Sequence, residues 1–132
     1  MKKYIHYCWF GNKPLSKLSK QCIKSWKKYL PDYEIICWNE TNCNLNDCAF
    51  VKGAYENGKW AFVADYFRTK ALNEYGGIYM DTDVELIKSL DGFLNQKMFC
   101  GWEERDAYYI KRNPNYENSV NTGLGFGAEA KN

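Results

Sequence analysis

Asp81 and Asp83 stand two residues apart, immediately after the apolar run Ile78-Tyr79-Met80. In extended backbone, positions i and i+2 point to the same face, so the two carboxylates can act together. Carboxylates at the carboxyl end of a strand lie where open α/β sheets bind their ligands. An all-oxygen pair of this kind suits a hard divalent cation. A cation held there can bridge to a diphosphate and offset the charge of a departing group. The same residues also read as an acidic turn in water, or as a calcium loop. Asp81, Asp83 and Glu85 match the first, third and fifth ligand positions of an EF-hand, but Leu86 stands where that loop requires glycine, which removes the calcium reading.

A second constellation lies upstream, in Trp60-Ala61-Phe62-Val63-Ala64-Asp65-Tyr66-Phe67-Arg68. Asp65 and Arg68 are three apart and share a helix face, with Ala61, Ala64 and Leu72 on or near it. Small alanines let a ligand approach the backbone. An arginine there can fork onto phosphate or sugar oxygens, or it can simply pair with Asp65 across one turn. Val63, Phe67 and Ala71 form the other stripe, which reads as core. A third stretch is residues 5–11, where Trp9, Phe10 and the flexible Gly11 follow a strand. Those rings can border a nucleotide base or fill the core. His6, the sole histidine, falls inside the strand and reads as a satisfied core group, not a catalytic base.

These groups need a scaffold. The apolar run at residues 4–9, closed by Gly11 and Pro14, predicts a first strand. Ser16 can cap a helix through Tyr29, with Leu18, Cys22, Ile23, Trp26 and Leu30 near helical spacing, and Pro31 and Asp32 stop it. Residues 34–38 predict a second strand, whose unbroken Ile35-Ile36-Cys37 run suits cover on both faces. The Asn-rich stretch 39–47 is a loop. A short helix is predicted over 48–56 and a longer one over 59–75, ended by Gly76-Gly77. Residues 78–80 form a third strand, followed by the acidic turn, the apolar stretch 84–87 and a further strand at 98–102. Segments after Gly123 read as extended and glycine-kinked. The alternation argues for one α/β domain over residues 1–132, with helices on the faces of a sheet.

Composition narrows the classes. A chain of 132 residues fits one domain and can bury a core. Eighteen basic and sixteen acidic residues give a net charge of +2, which leaves no nucleic-acid footprint. The N-terminal apolar stretch is too short and polar for a signal peptide, and no run approaches the roughly 20 apolar residues of a membrane span. Six cysteines without a CxxC pair, beside one histidine, argue against structural zinc. Without an export signal they argue against a disulfide framework too, and read as reduced, mostly buried thiols. The expected location is the cytoplasm, including the inner face of the membrane.

Taken together, three stretches resemble a known family: IHYCWFG at 5–11, WAFVADYFRTKALNEYGGIYMDTDVEL at 60–86 and NSVNTGLGFGAEA at 118–130. The chain resembles bacterial glycosyltransferases with the DXD sugar-binding region, related to glycosyltransferase family 32 and to capsular-polysaccharide and mannosyl- or galactosyltransferase-like enzymes. The middle block is the specific one, because helix, glycine pair, strand and acidic pair follow in the family's order. The resemblance implies a GT-A fold, here expected to lack its C-terminal part as a fragment of a longer enzyme. It implies Mn²⁺ or Mg²⁺, a nucleotide-sugar donor (a UDP-sugar before a GDP-sugar), a saccharide acceptor, and retention of anomeric configuration. Carried over, Asp65 would contact donor sugar hydroxyls and Arg68 the donor's sugar or phosphate. Asp81 would touch ribose and the metal shell, Asp83 would be the main metal ligand, and Trp9, Phe10 and Gly11 would border the base. Two rivals remain: a fragment that binds nucleotide sugar and metal without transfer, and a haloacid-dehalogenase-type phosphatase using Asp81 as nucleophile.

Overall fold

The computed structural model describes residues 1–102 and 120–131. In chain order the elements are β1 (Tyr4–Cys8), α1 (Lys17–Tyr29), β2 (Glu34–Trp38), α2 (Ala49–Glu56), α3 (Trp60–Tyr75), β3 (Gly77–Met80), a single 3-10 turn (Asp91–Phe93), β4 (Met98–Trp102) and β5 (Val120–Ala128). The strands form one sheet in the order β2-β1-β3-β5-β4. β1 runs parallel to both β2 and β3, and β5 runs antiparallel to β3 and β4. The described part of NSVNTGLGFGAEA is therefore the strand that joins the two halves.

Period-two alternation along β1 and β3 divides the interior. Ile5, Tyr7, Ile78 and Met80 face α1 with Cys22, Trp26, Leu30 and Leu86. Cys8 and Tyr79 face α2 and α3 with Val51, Val63, Phe67, Leu72 and Phe126. Leu72, expected on the chemical face of α3, belongs to this core instead, because that side of the helix meets the sheet. β2 is an edge strand, paired only with β1, yet its side chains reach both faces of the sheet: Ile35 and Cys37 pack against one core cluster and Trp38 against the other. Glu34 is exposed and residues 35–38 are half-buried.

α1 begins as its sequence predicts. Ser16 caps it, its Oγ accepting the Ser19 N–H at 3.0 Å, and Leu30 closes it with an N–H to the Trp26 carbonyl at 2.8 Å. Leu18, expected among the apolar positions, is 56 % exposed. It lies in the first turn, where side chains lean back toward the helix start and past the cover enjoyed by Cys22 and Trp26. The buried side of α1 also fixes the chain just beyond the acidic pair. The Trp26 indole N–H donates to the Val84 carbonyl at 2.8 Å, and the Ser25 hydroxyl accepts the Leu86 N–H at 2.9 Å. Residues 84–87 form no strand: Leu86 is anchored, while Ile87 is 77 % exposed. All six cysteines are free; Cys8 and Cys22 are buried and the other four half-buried. Among the described residues, no helix is long and apolar enough to cross a membrane.

The join between α3 and β3 depends on glycine. Gly77 has φ +113°, and a Cβ there would come within 2.8 Å of the Tyr4 Cβ and carbonyl oxygen. Only a residue without a side chain lets β3 close against β1 at this point. His6 locks the same corner. It is fully buried, and the Trp38 indole N–H donates to its Nδ1 at 3.1 Å. Nε2 therefore carries the proton and donates to the Gly76 carbonyl at 2.8 Å. One neutral ring thus ties β1, β2 and the end of α3 together, as a satisfied core histidine should.

Burial lowers the His6 pKa below its ordinary 6.5, against a smaller opposing pull from the Gly76 carbonyl and Glu34. The histidine is depressed in the folded state, so its contribution to stability is complete above about 6.5 and is lost as pH falls through the lower folded value. His6 is the only histidine, so its ring proton resonance can be followed without ambiguity. An NMR titration of the folded protein is expected to give a midpoint below 6.5; a midpoint at or above that value would contradict the assigned bonding.

Candidate nucleotide-sugar site

A cleft of about 430 Å³ opens at the carboxyl ends of β1 and β3. Cys8, Trp9, Phe10 and Lys13 come from the end of β1 and the loop after it. Trp60, Ala61 and Ala64 come from the first turns of α3, and Tyr79, Asp81, Thr82 and Asp83 from the end of β3. This is the sheet edge where the two parallel connections begin, the expected place for a ligand in such a fold.

The acidic pair reaches the cleft by a different route from the one strand alternation suggests. β3 ends at Met80, and the Val84 N–H closes a turn onto the Asp81 carbonyl at 3.1 Å. A turn, not a pleat, presents Asp81, Thr82 and Asp83 together. Asp81 is half-buried and Asp83 exposed. The buried Tyr79 hydroxyl donates to Asp81 Oδ1 at 3.0 Å. Burial raises the Asp81 pKa above the usual 3.8; the Tyr79 bond and the Arg68 charge pull it back, and the Asp83 and Asp65 charges add to the rise. Burial likewise pushes the Tyr79 phenol well up, with the Cys8 and Asp81 charges adding, so it stays a neutral donor.

Arg68 forms an ion pair with Asp65 one turn earlier on α3. Its guanidinium carbon lies 5.7 Å from the centre of the Tyr79 ring. Neither Asp65 nor Arg68 is among the cleft-lining residues; the helix presents Trp60, Ala61 and Ala64 there. Arg68 is nevertheless coupled to the site, because its charge acts on Asp81. The expected helix face therefore supports the acidic pair from the side, and of its small residues Ala61 and Ala64 line the cleft.

The loop after β1 is built tightly. The Trp9 indole N–H donates to the Lys13 carbonyl at 2.7 Å. Phe10 is buried against Phe67, with ring centres 5.6 Å apart, so most of its surface serves the core. Gly11 has φ +100°, and a Cβ on it would stand 3.0 Å from the Trp60 indole. The Gly11 N–H donates to Glu40 Oε1 at 2.5 Å, and the same carboxylate accepts the Tyr55 hydroxyl at 3.3 Å. Tyr55 in turn packs on Trp60 at 5.2 Å between centres. Gly11 thus lies under Trp60 and does not itself line the cleft.

Sequence reasoning did not single out Cys8, Lys13, Trp60, Tyr79 or Thr82. Tyr79 carried a usable signal, since it lies two residues before Asp81. Lys13 and Trp60 carried none, because their meeting depends on the packing of α3 against the loop after β1. The oxygen-only pair at the acidic turn fits a hard cation. Among the described residues, no cluster of three or more His, Cys, Asp or Glu side chains gathers. The remaining coordination would come from water and ligand oxygens, as Mg²⁺-type sites commonly arrange.

A sheet of this topology, with an acidic turn and aromatic walls at its carboxyl edge, defines a GT-A-type nucleotide-sugar-binding fold. Comparison with protein families matches residues 16–100 to the glycosyltransferase sugar-binding region containing DXD motif, and the chain belongs to that family. The family and the position of the acidic pair after the third strand remove the phosphatase reading. Inositol phosphoceramide mannosyltransferase 3 of Schizosaccharomyces pombe is 30 % identical over 112 residues, which cover 80 % of this chain and 30 % of the relative. The PaToxG glycosyltransferase structure superposes with a TM-score of 0.70 at 18 % identity, over 98 % of this chain and 56 % of that one. At that identity the likeness speaks for the fold. The chain spans less than a third of the curated relative and just over half of the structural one.

Gly11→Ala tests the loop's construction. A positive φ and a 3.0 Å approach to Trp60 act together, so the substitution is expected to cost about 1–3 kcal/mol. Urea denaturation of the two proteins measures this; equal stabilities would show that Trp60 does not cover Gly11.

Proposed function

We propose that this chain is the donor-binding part of a metal-dependent, retaining glycosyltransferase. It moves a hexose from a nucleotide sugar to a saccharide acceptor in surface-polysaccharide synthesis. The observation that carries the reading is the acidic turn opening into an aromatic-walled cleft, with Lys13 in the same lining. Asp83, exposed at the turn, is the principal metal ligand, and half-buried Asp81 holds the metal shell and the ribose. Mn²⁺ or Mg²⁺ there would supply charge to offset the departing diphosphate. Arg68 adds positive charge from behind Asp81, and Asp65, outside the cleft lining, orients Arg68 through their ion pair. Trp9 and Phe10, with Gly11 shaping their loop, border the base.

The donor's base is left open between uridine and guanosine, with uridine favoured. The Schizosaccharomyces pombe relative is named for inositol phosphoceramide, so a glycolipid headgroup is an acceptor class to test beside a polysaccharide. Because the chain matches only part of its relatives, the second reading is donor and metal binding without transfer. Detection of sugar transfer, or of donor hydrolysis, separates the two.

Donor binding is tested by a thermal-shift screen of UDP-, GDP- and ADP-sugars, each with Mn²⁺ or with EDTA. A ligand that binds only the folded state raises its apparent stability. One nucleotide class is expected to stabilise the protein and to lose its effect with EDTA; no shift with any donor would overturn the reading. Asp83→Asn is expected to abolish the Mn²⁺-dependent shift while leaving the unliganded midpoint within about 3 °C, as surface substitutions do. Arg68→Ala is expected to weaken the intact donor more than the free base.

A further inference from the structure

The near-balanced net charge hides a strongly uneven distribution. α1 has the sequence KLSKQCIKSWKKY, with five lysines and no acidic residue. The chain's net charge is +2, so everything outside this helix is net acidic. With 3.6 residues per turn, Lys17, Lys20, Lys24, Lys27 and Lys28 fall within an arc of about 100°. The buried residues of the same helix, Ser19, Cys22, Ser25 and Trp26, occupy the opposite side. All five lysines are exposed. Among the described residues none of them takes part in a salt bridge, and the Lys28 ammonium lies 4.9 Å from the Tyr29 ring centre. Burial raises the Cys22 thiol's pKa, with the Glu85 and Asp83 charges adding to it, but Cys22 is on the inward face.

An ordinary solvated helix interleaves both signs, because Glu–Lys pairs three or four residues apart stabilise it. Five lysines on one stripe repel each other, and nothing in the fold requires them. We infer that the outer face of α1 is a docking surface for an anionic lipid bilayer. A stripe of four to eight basic side chains on an amphipathic helix is suited to a negatively charged lipid surface. Lysine, a compact and strongly hydrated point charge on a flexible stem, fits a diffuse field of headgroups better than it fits base edges, where arginine's fork is the usual reader. The stripe carries no aromatic side chain for base stacking.

The stripe starts close to the cleft. α1 follows directly on the loop that carries Trp9, Phe10 and Lys13. The helix itself packs on the sheet face opposite α3, so a bilayer lying along α1 would leave the α3 wall of the cleft uncovered. This inference stands apart from the donor reading, since it uses none of the acidic turn.

Vesicle flotation of the full chain tests it, comparing phosphatidylcholine vesicles with vesicles in which a third of the lipid is phosphatidylglycerol. The protein is expected to float with the anionic vesicles, to be released at high salt, and to stay behind with pure phosphatidylcholine. The triple variant Lys20→Gln, Lys24→Gln, Lys27→Gln keeps helix propensity and is expected to partition about 100-fold more weakly, roughly fivefold per lysine. Replacing the same three lysines by arginine is expected to keep binding. Duplex DNA at the same salt is expected to bind less tightly than the anionic vesicles. No flotation, equal flotation with both vesicles, an undiminished triple-glutamine variant, or tighter binding to DNA would each overturn the inference. The glutamine variant is expected to show the wild-type donor shift. A failed donor screen with intact flotation would sink the donor reading alone, and the reverse result would sink this one alone.

Discussion

Asp81 is held half-dry at the end of a strand whose four residues are all buried, and the surrounding structure is arranged to make that tolerable. A carboxylate drawn out of water needs hydrogen bonds and nearby positive charge to stay ionised. The Tyr79 hydroxyl supplies the bond, and Arg68 supplies the charge. Asp65, paired with Arg68, keeps the guanidinium over the Tyr79 ring. Asp83, two residues further along the turn, remains in water, where it can meet a hydrated cation. The two carboxylates thus stand in unlike environments, and a ligand that adds positive charge would offset the burial that Asp81 bears.

The same strand is fixed from either face. α1 grips the backbone beyond the acidic turn through Trp26 and Ser25, so the turn cannot slide along the sheet. At the other end, Gly77 admits the close approach to Tyr4, and His6 joins the Gly76 carbonyl to Trp38. These contacts lie far apart in sequence. They explain why a four-residue strand, short for a sheet, can carry a site: its position is set by neighbours rather than by its own length.

Local signals made much of this legible in advance. Ser16 as a cap, Gly76-Gly77 as a helix end and the short apolar runs of β1 and β3 are all properties of adjacent residues, and each appears in the fold. The acidic pair was visible for the same reason. Its geometry was not, because the strand stops at Met80 and a turn hydrogen bond takes over. The apolar run of β2 pointed to cover on its faces but carried no information on its place in the sheet; its edge position follows from β3 pairing on the far side of β1. Trp60 over Gly11, and Tyr79 beneath Asp81, come from packing between elements and leave little trace in spacing. The whole-chain charge of +2 says nothing of how charge is distributed, and so does not reveal that lysine is the one charged residue type on α1.

The central claim is that the acidic turn and a nucleoside diphosphate hold one cation between them. Electron paramagnetic resonance of Mn²⁺ reads this most directly, because the free aqueous ion gives a sharp signal that is lost on binding. Protein with UDP or GDP is expected to remove far more of that signal than the protein and the nucleotide do separately, and Asp83→Asn is expected to erase the difference. If the protein and nucleotide together bind no more Mn²⁺ than the two do apart, or if Asp83→Asn behaves as the wild type does, the acidic turn is not a metal–diphosphate site.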